Sequence, residues 1–408
     1  MKDRLLFYTI DTDIISDSNE LTRTLVSFAT EFGLEGNIWQ HWLTYILMTD
    51  ENPFSLACER MLIREDSTLM QLAAPDLSLF RELMNAEPGV SCTGGRTDLL
   101  SLVKDYRSPY DDAGGTAAGR RIMDLSSRLA SAENDGEFCR IVADEYEKYG
   151  TGIYGLYRAF RISEVGSPDA WQIVPVTETA DVTFDDLIGY ETQKETLRAN
   201  TEAFVSGQHG NNVLLYGDSG TGKSTSVHAL MHDYFDRGLR LVEIGKQHRS
   251  LLPQVLSEIK RRNYRFIIFL DDLSFEENES DYKELKAMLE GALESREDRV
   301  LIYATSNRRH LIRETWGDRS DMEYHEDVHR SDTMEEKLSL ASRFGVTIYY
   351  PKPDPRQYYD IVRALAERKG IHLAGKELED AARKWELRHG GMSGRTASQL
   401  ITWLEGGN

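Results

Sequence analysis

The sequence predicts an α/β fold. A parallel sheet lies between two helical layers, an all-α N-terminal domain precedes it, and a small C-terminal helical lid follows. Three observations predict this. From residue 183 onward, short apolar runs rich in Val, Ile and Leu alternate with longer helical runs, the pattern of strand–crossover–strand units in a parallel sheet. A glycine-rich turn separates the first of these strands from the helix after it. Residues 1 to about 160 instead carry apolar side chains at helical spacing, with little alternation.

The elements follow in order. Leu21, Leu25, Phe28 and Phe32 fall on one helix face, and Leu77, Leu79 and Leu83 repeat the spacing. Trp39, Trp42, Tyr45 and Leu47 form an apolar cluster expected to face the core. Gly89 to Asp98 reads as a loop. The first domain is expected over 1–165. Residues 166–182, rich in Gly, Pro, Ser, Thr and Val, then read as an extended linker or an edge strand.

The sheet domain is expected over 183–352. Its strands are Val213–Tyr216, Leu239–Ile244, Phe266–Leu270, Val300–Thr305 and Val346–Tyr350. Helices are expected near 190–206, 223–236, 250–261, 281–294 and 355–369. The cations Lys260, Arg261 and Arg262 close one of them, where positive charge meets the negative end of the macrodipole. Residues 353–408 show no strand pattern and form the lid.

Composition narrows the functional classes. The formal net charge is −20, so the chain as a whole repels phosphate backbones, which argues against nucleic acid as partner. No apolar run approaches the ~18 residues of a membrane helix. Leu5 to Ile10 is shorter than the ~7–15-residue core of a secretion signal; the expected location is cytoplasmic, away from membranes. The 3 cysteines show no C-x-x-C spacing, so neither a disulfide framework nor a zinc site is expected.

One motif carries chemistry. Gly217-Asp218-Ser219-Gly220-Thr221-Gly222-Lys223-Ser224 fits G-x-x-x-x-G-K-[ST], between an apolar strand and a helical run that opens with Ser224 and Thr225. Glycines at these positions let backbone N–H groups turn inward around a β-phosphate, and the helix N-terminus adds its positive end. Lys223 is placed to reach the β- and γ-phosphates, and the Ser224 hydroxyl to ligate Mg²⁺. Asp271 and Asp272 end a strand buried on both faces, where open α/β sheets bind ligands. Asp271 is expected to hold the metal through water and Asp272 to act as general base, with Glu276 as a substitute. Asn307 or Thr305, at the end of another buried strand, is a candidate for bonding the attacking water or the γ-phosphate.

With these signals in order, residues from about 183 to 408 resemble the AAA+ ATPases. Thr183 to Tyr190 is similar to the segment that leads into that module and lines its adenine pocket, with Ile188 and Gly189 as the matching contacts. Gly217–Ser224 is similar to Walker A, Asp271-Asp272 to Walker B, and Asn307 to sensor 1. Leu340 to Gly345 resembles the box that carries the arginine finger, which makes Arg343 the candidate, and Ser393 to Ala397 resembles sensor 2, with Arg395. The whole chain resembles a bacterial AAA+ ATP-binding family of the domain-of-unknown-function kind. The resemblance implies ATP and Mg²⁺ as cofactors, ATP hydrolysis, a homo-oligomer such as a ring, and a protein partner engaged through the N-terminal domain. An ATP-gated switch with little turnover and a DNA-associated loader are the alternatives. Asp272 stands where many members carry Glu. Gly245-Lys246-Gln247-His248 lacks the aromatic–hydrophobic pair of protein-threading members. The charged stretch 313–336 reads as a long insertion.

Overall fold

The structure, a computed structural model, describes residues 5–10, 18–60, 64, 66–86, 102–109, 115–177, 182–273, 285, 299–307 and 343–406. Its centre is a seven-stranded sheet. The strands are β1 (Ala159–Val165), β2 (Ser167–Pro175), β3 (Val213–Gly217), β4 (Leu239–Glu243), β5 (Arg265–Leu270), β6 (Val300–Ser306) and β7 (Val346–Tyr350). They lie in the order β2-β1-β4-β5-β6-β3-β7. Every neighbouring pair is parallel except β1 with β2. Parallel strands need crossovers and are covered on both faces, which is why Phe266 to Leu270 is apolar without interruption and wholly buried. The expected strands β3 to β7 form within a residue of their expected bounds.

The hairpin β1–β2 corrects the expected layout. Residues 159–165, taken as the end of the helical domain, form β1, and the expected linker contains β2. Of the two readings for that stretch, the edge strand holds for Ser167–Pro175. Phe160 and Ile162 point into the core while Arg161 is exposed, an alternation too short to stand out beside the helical runs before it. Gly166 turns the hairpin at φ 70°. β1 then adds to β4, so the sheet continues two strands past it.

N-terminal to β1, the described elements are helices: α1 (Ser18–Phe32), α2 (Ile38–Thr49), α3 (Pro53–Glu59), α4 (Thr68–Asn85), α5 (Ala117–Ala130), α6 (Asp135–Tyr149) and α7 (Gly152–Leu156). They enclose one core in which Leu21, Leu25, Phe28 and Phe32 are buried with Trp39, Trp42 and Leu47. Side-chain caps fix where the helices start; Asn52, for example, accepts from the amides of Phe54 and Ser55. Flanking the sheet are α8 (Glu191–Val205), α9 (Lys223–Tyr234) and α10 (Leu252–Ile259). The lid is α11 (Pro355–Arg368), α12 (Gly375–Arg388) and α13 (Gly394–Glu405), packed around Tyr358, Val362, Ala382 and Leu400. Among the described residues, no helix is long and apolar enough to cross a membrane.

Two buried arginines join the helical region to the sheet. Arg240, fully buried in β4, donates to the carbonyls of Tyr149 (3.0 Å) and Tyr154 (2.5 Å) from the helical side, and to those of Phe235 and Leu239. The rings of Phe235 and Tyr264 lie 4.2 and 4.6 Å from its guanidinium carbon. Arg262 corrects the helix-end reading of Lys260-Arg261-Arg262. It lies beyond α10, is buried, and grips Glu59 of α3 through Nε (2.9 Å) and Nη2 (2.6 Å) and Glu51 through Nη1 (2.5 Å). Glu59 also accepts from Tyr264 Oη and from the amides of Thr151 and Asn263. Burial pulls the Arg262 pKa down, but Glu59 outweighs it and holds the group above the usual guanidinium value.

Glu276, Arg343's neighbours Leu340 to Ser342, the 313–336 stretch, the Gly89–Asp98 loop and the helix expected over 281–294, apart from Leu285, lie outside the described residues.

Arg262→Met should destabilise the protein by about 3–5 kcal/mol, because it leaves the Glu59 carboxylate buried without its cation. Urea denaturation of the variant beside wild type measures this. A loss below about 1 kcal/mol, the range of an exposed ion pair, would show that the bond contributes little.

Candidate active site

The site forms where β3 ends. At Gly217 the chain runs at φ 138°, and a Cβ there would lie 2.1 Å from the carbonyl oxygen of Tyr350 on the adjacent β7. Gly220 and Gly222 follow at φ 75° and 90°, and a Cβ on Gly222 would meet Leu187 Cδ1 at 2.1 Å. Only glycine permits this path, and it brings the backbone of 218–222 around to the N-terminus of α9. The amides at that end have no intrahelical acceptor, which is the condition for anion binding.

Lys223 opens α9 and is buried. Its Nζ donates to the carbonyls of Gly217 (3.0 Å) and Asp218 (2.6 Å) and to Asn307 Oδ1 (3.0 Å). Burial lowers its pKa, opposed by the carboxylates of Asp218, Asp271 and Asp272. The ammonium therefore sits in a ring of oxygens, a place that phosphate oxygens can share.

The next residue is Ser224, whose Oγ donates to Asp271 Oδ1 at 2.6 Å. Thr305 on β6, buried at 2% exposure, donates to the same oxygen at 2.5 Å. Thr305 Oγ1 also accepts from the Asp272 amide at 2.9 Å, and its carbonyl accepts from the Leu273 amide. Asp272 itself stands at φ 49°, a left-handed conformation that Asp tolerates better than most residues. Its carboxylate accepts from Asn307 Nδ2 at 2.9 Å, and its carbonyl from Arg249 Nη2 at 3.4 Å. Asn307 thus bridges Lys223 and Asp272.

These groups open into a cavity of about 720 Å³. Ser219 to Thr225, Asp271, Asp272, Thr305 and Asn307 make its polar wall. Leu187, Ile188, Tyr190, Ile361 and Leu365 make the apolar end, and Arg395 closes the lid side. The Arg395 amide donates to the Gly220 carbonyl at 3.3 Å, which ties α13 to the loop. Gly217 and Asp218 border an adjoining opening of about 440 Å³ that also reaches Asn307. Gly189 turns at φ 80° beside Ile188, with no heavy atom within 4 Å of where its Cβ would be. Arg343 is exposed in the turn before β7 and is not part of the cavity wall.

The donors suit an anion held next to a hard divalent cation. Serine hydroxyl and aspartate carboxylate are the oxygen ligands that Mg²⁺ takes, and Mg²⁺ commonly completes its shell with phosphate and water. Among the described residues no group of 3 or more His, Cys, Asp or Glu side chains forms a closed cage, so a metal at Ser224 and Asp271 would share its shell with a ligand. Leu187 and Tyr190 fall in the segment Thr183 to Tyr190 expected to line the pocket, whereas sequence reasoning did not find Ile361 or Leu365. Tyr190 adopts φ 62° and donates from its hydroxyl to the Pro351 carbonyl, an arrangement no local pattern announces. Arg249 was missed too, although a cation just after a strand end next to the acidic pair was a signal.

A family model described as protein of unknown function (DUF815) matches residues 156–408. The replication factor C large subunit of Methanococcus maripaludis is 36% identical over 72 residues, 18% of this chain and 15% of that protein. The ATP-dependent zinc metalloprotease FtsH of Aquifex aeolicus is 25% identical over 225 residues, 48% of this chain and 32% of that protein. The chain therefore matches less than a third of the length of these relatives. Among solved structures, the FIGL-1 AAA domain in complex with ADP aligns with a TM-score of 0.39 and 20% identity, over 56% of this chain and 74% of that one. The Thermotoga maritima RuvB Holliday junction branch migration motor aligns with a TM-score of 0.32 and 15% identity, over 55% and 72%.

Gly217→Ala should cost about 2 kcal/mol or more, because the clash is between backbone atoms of paired strands and no rotamer relieves it. Thermal unfolding of the variant checks this, and an unchanged midpoint would mean that β3 and β7 can separate at no cost.

Proposed function

We propose that this chain, which belongs to the DUF815 family, an AAA+ family, binds ATP with Mg²⁺ and hydrolyses it as an oligomer. The observation that carries the reading is the Ser224–Asp271 bond at 2.6 Å, made across 47 residues of sequence. It supports a site in which one cation uses both a P-loop hydroxyl and a strand-end carboxylate. The apolar end of the cavity is the size and chemistry for a base, and the glycine loop lies between it and the carboxylates.

In this reading the amides of 220–224 and the Lys223 ammonium bind the β- and γ-phosphates. Ser224 and Asp271 hold the Mg²⁺, which supplies charge neutralisation when bound. Asn307 turns its amide toward the attacking water, and Asp272 accepts the water's proton. Arg395 faces the phosphates from the lid. Arg343 acts on a neighbouring copy's γ-phosphate, which fits its exposed place outside its own cavity. The N-terminal helical domain engages a protein partner whose regulation or remodelling the ATPase cycle drives. An ATP-gated switch with little turnover is the second reading. It is favoured by Asp272, shorter than Glu and already bonded to Asn307. A DNA-associated loader fits less well with a net charge of −20.

Lys223→Ala should weaken ATP binding by about a hundredfold or more, since a buried charge-assisted contact to phosphate is lost. Isothermal titration measures this; wild-type affinity in the variant would refute the P-loop assignment. Asp272→Asn should bind ATP normally and lose turnover, because a carboxamide cannot take the proton.

A separate test addresses Arg343. A finger supplied in trans is worth about 10³–10⁵ in kcat, and it makes activity per subunit rise with protein concentration. Arg343→Ala should abolish that rise, and mixing it with Lys223→Ala subunits should restore part of the activity. No rescue in co-assembled mixtures would rule out sharing of the site. Turnover near zero in wild type at every concentration would favour the switch.

A further inference from the structure

Thr305 is the residue that joins the two halves of the acidic pair. Its hydroxyl has one proton to give and two lone pairs to accept with, and the proton and one lone pair are used inside the protein. The proton goes to Asp271 Oδ1, and the oxygen accepts from the Asp272 amide. Thr305 is therefore tied to the Asp271 carboxylate and to the backbone of Asp272. Asp271 Oδ1 receives two hydroxyls, those of Ser224 and Thr305, whereas Oδ2 carries no hydrogen bond among the described residues. Two donors on one oxygen fix the rotation of the carboxylate, so Oδ2 is the oxygen available to a metal's water shell. The amide that Thr305 accepts from belongs to a residue at φ 49°, and the Leu273 amide on its far side bonds the Thr305 carbonyl. One residue of β6 thus holds the left-handed turn and the metal-side carboxylate together.

We propose that Thr305 is a positioning residue for hydrolysis. Through one hydroxyl it sets the spacing and orientation of Asp271, on the metal side, relative to Asp272, on the water side. The proposal rests on the Mg²⁺-dependent hydrolysis put forward above. It predicts that loss of the hydroxyl disturbs metal use and chemistry together while leaving the phosphate loop intact.

The test compares Thr305→Val, which keeps the shape and removes the hydroxyl, with Thr305→Ser, which keeps the hydroxyl and removes the methyl. Binding of a fluorescent ATP analogue is titrated first with chelator and then against rising Mg²⁺. Thr305→Val should match wild type in chelator. It should need about tenfold more Mg²⁺ to reach the metal-dependent affinity and lose about ten- to a hundredfold in kcat, the scale of one hydrogen bond to a charged group. Thr305→Ser should stay within about threefold of wild type in both. Val behaving as wild type, or Ser as impaired as Val, would overturn the proposal, the second outcome assigning the effect to packing. If Thr305→Val does not fold, Thr305→Ala is read by the same criteria. A wild type with Mg²⁺-dependent turnover and an unaffected Val variant refutes this inference alone. A wild type without metal-dependent binding or turnover refutes the ATPase reading and this one with it.

Discussion

The pairing of β6 with β5 on one side and β3 on the other, in the registers that set Ala304 against Leu270 and Thr305 against Leu215, is the constraint on which the site depends. In a strand, residues two apart share a face, so Thr305 and Asn307 arrive on the same side, above the end of β5. From there Thr305 reaches Asp271, and Asn307 reaches both Asp272 and Lys223. A slip of one residue would present Ser306 in their place and break every one of these bonds at once. The register is secured by its surroundings: β6 is buried over six consecutive residues, and Asn212 Oδ1 accepts from the Ile302 amide just beyond the ladder.

The same sheet explains what could be read from sequence. Buried parallel strands are apolar end to end, so β3, β5 and β6 stood out from their neighbours, and the strand–glycine loop–helix order located Lys223 and Ser224. Asp271, Asp272 and Asn307 were legible because polar residues that end such strands have few places to go except the ligand crevice. The hairpin β1–β2 was not, since its short alternation is broken by Gly166 and follows a long helical stretch. Arg262 was misread for a different reason. Its partner Glu59 lies 203 residues earlier, and no local pattern records a pairing over that distance. The bonds of Thr305 to Asp271 and to the Asp272 amide were not legible either, because sequence shows that a hydroxyl is present and not which groups it meets.

The helical region and the sheet meet through polar groups as well as through the packing of Tyr154 against Phe160, Tyr264 and Phe266. Arg240 and Arg262 collect carbonyls and carboxylates from α3, α6 and the residues around α7, and Tyr264 lies between them. Such a joint is directional. Each guanidinium has a planar fork of donors, so the two parts are held in one orientation, and a rotation between them would strand buried charge. The helical core and the two clusters on the faces of the sheet are thereby joined at the N-terminal ends of β4 and β5, opposite the cavity.

The tie between Arg395 and Gly220 gives the lid a mechanical character. α13 begins against the phosphate loop and runs for 12 residues, so its far end lies about 18 Å away at 1.5 Å per residue. Its first residues sit against the loop, and its far end does not. A tilt of about 10° at the loop carries the tip about 3 Å, at that helical length. Trp403, 42% exposed and 5.5 Å from the Trp385 ring, rides near that tip. A displacement too small to notice among the glycines would thus be written large at the lid's outer face, as a change in the spacing and solvent contact of two indoles.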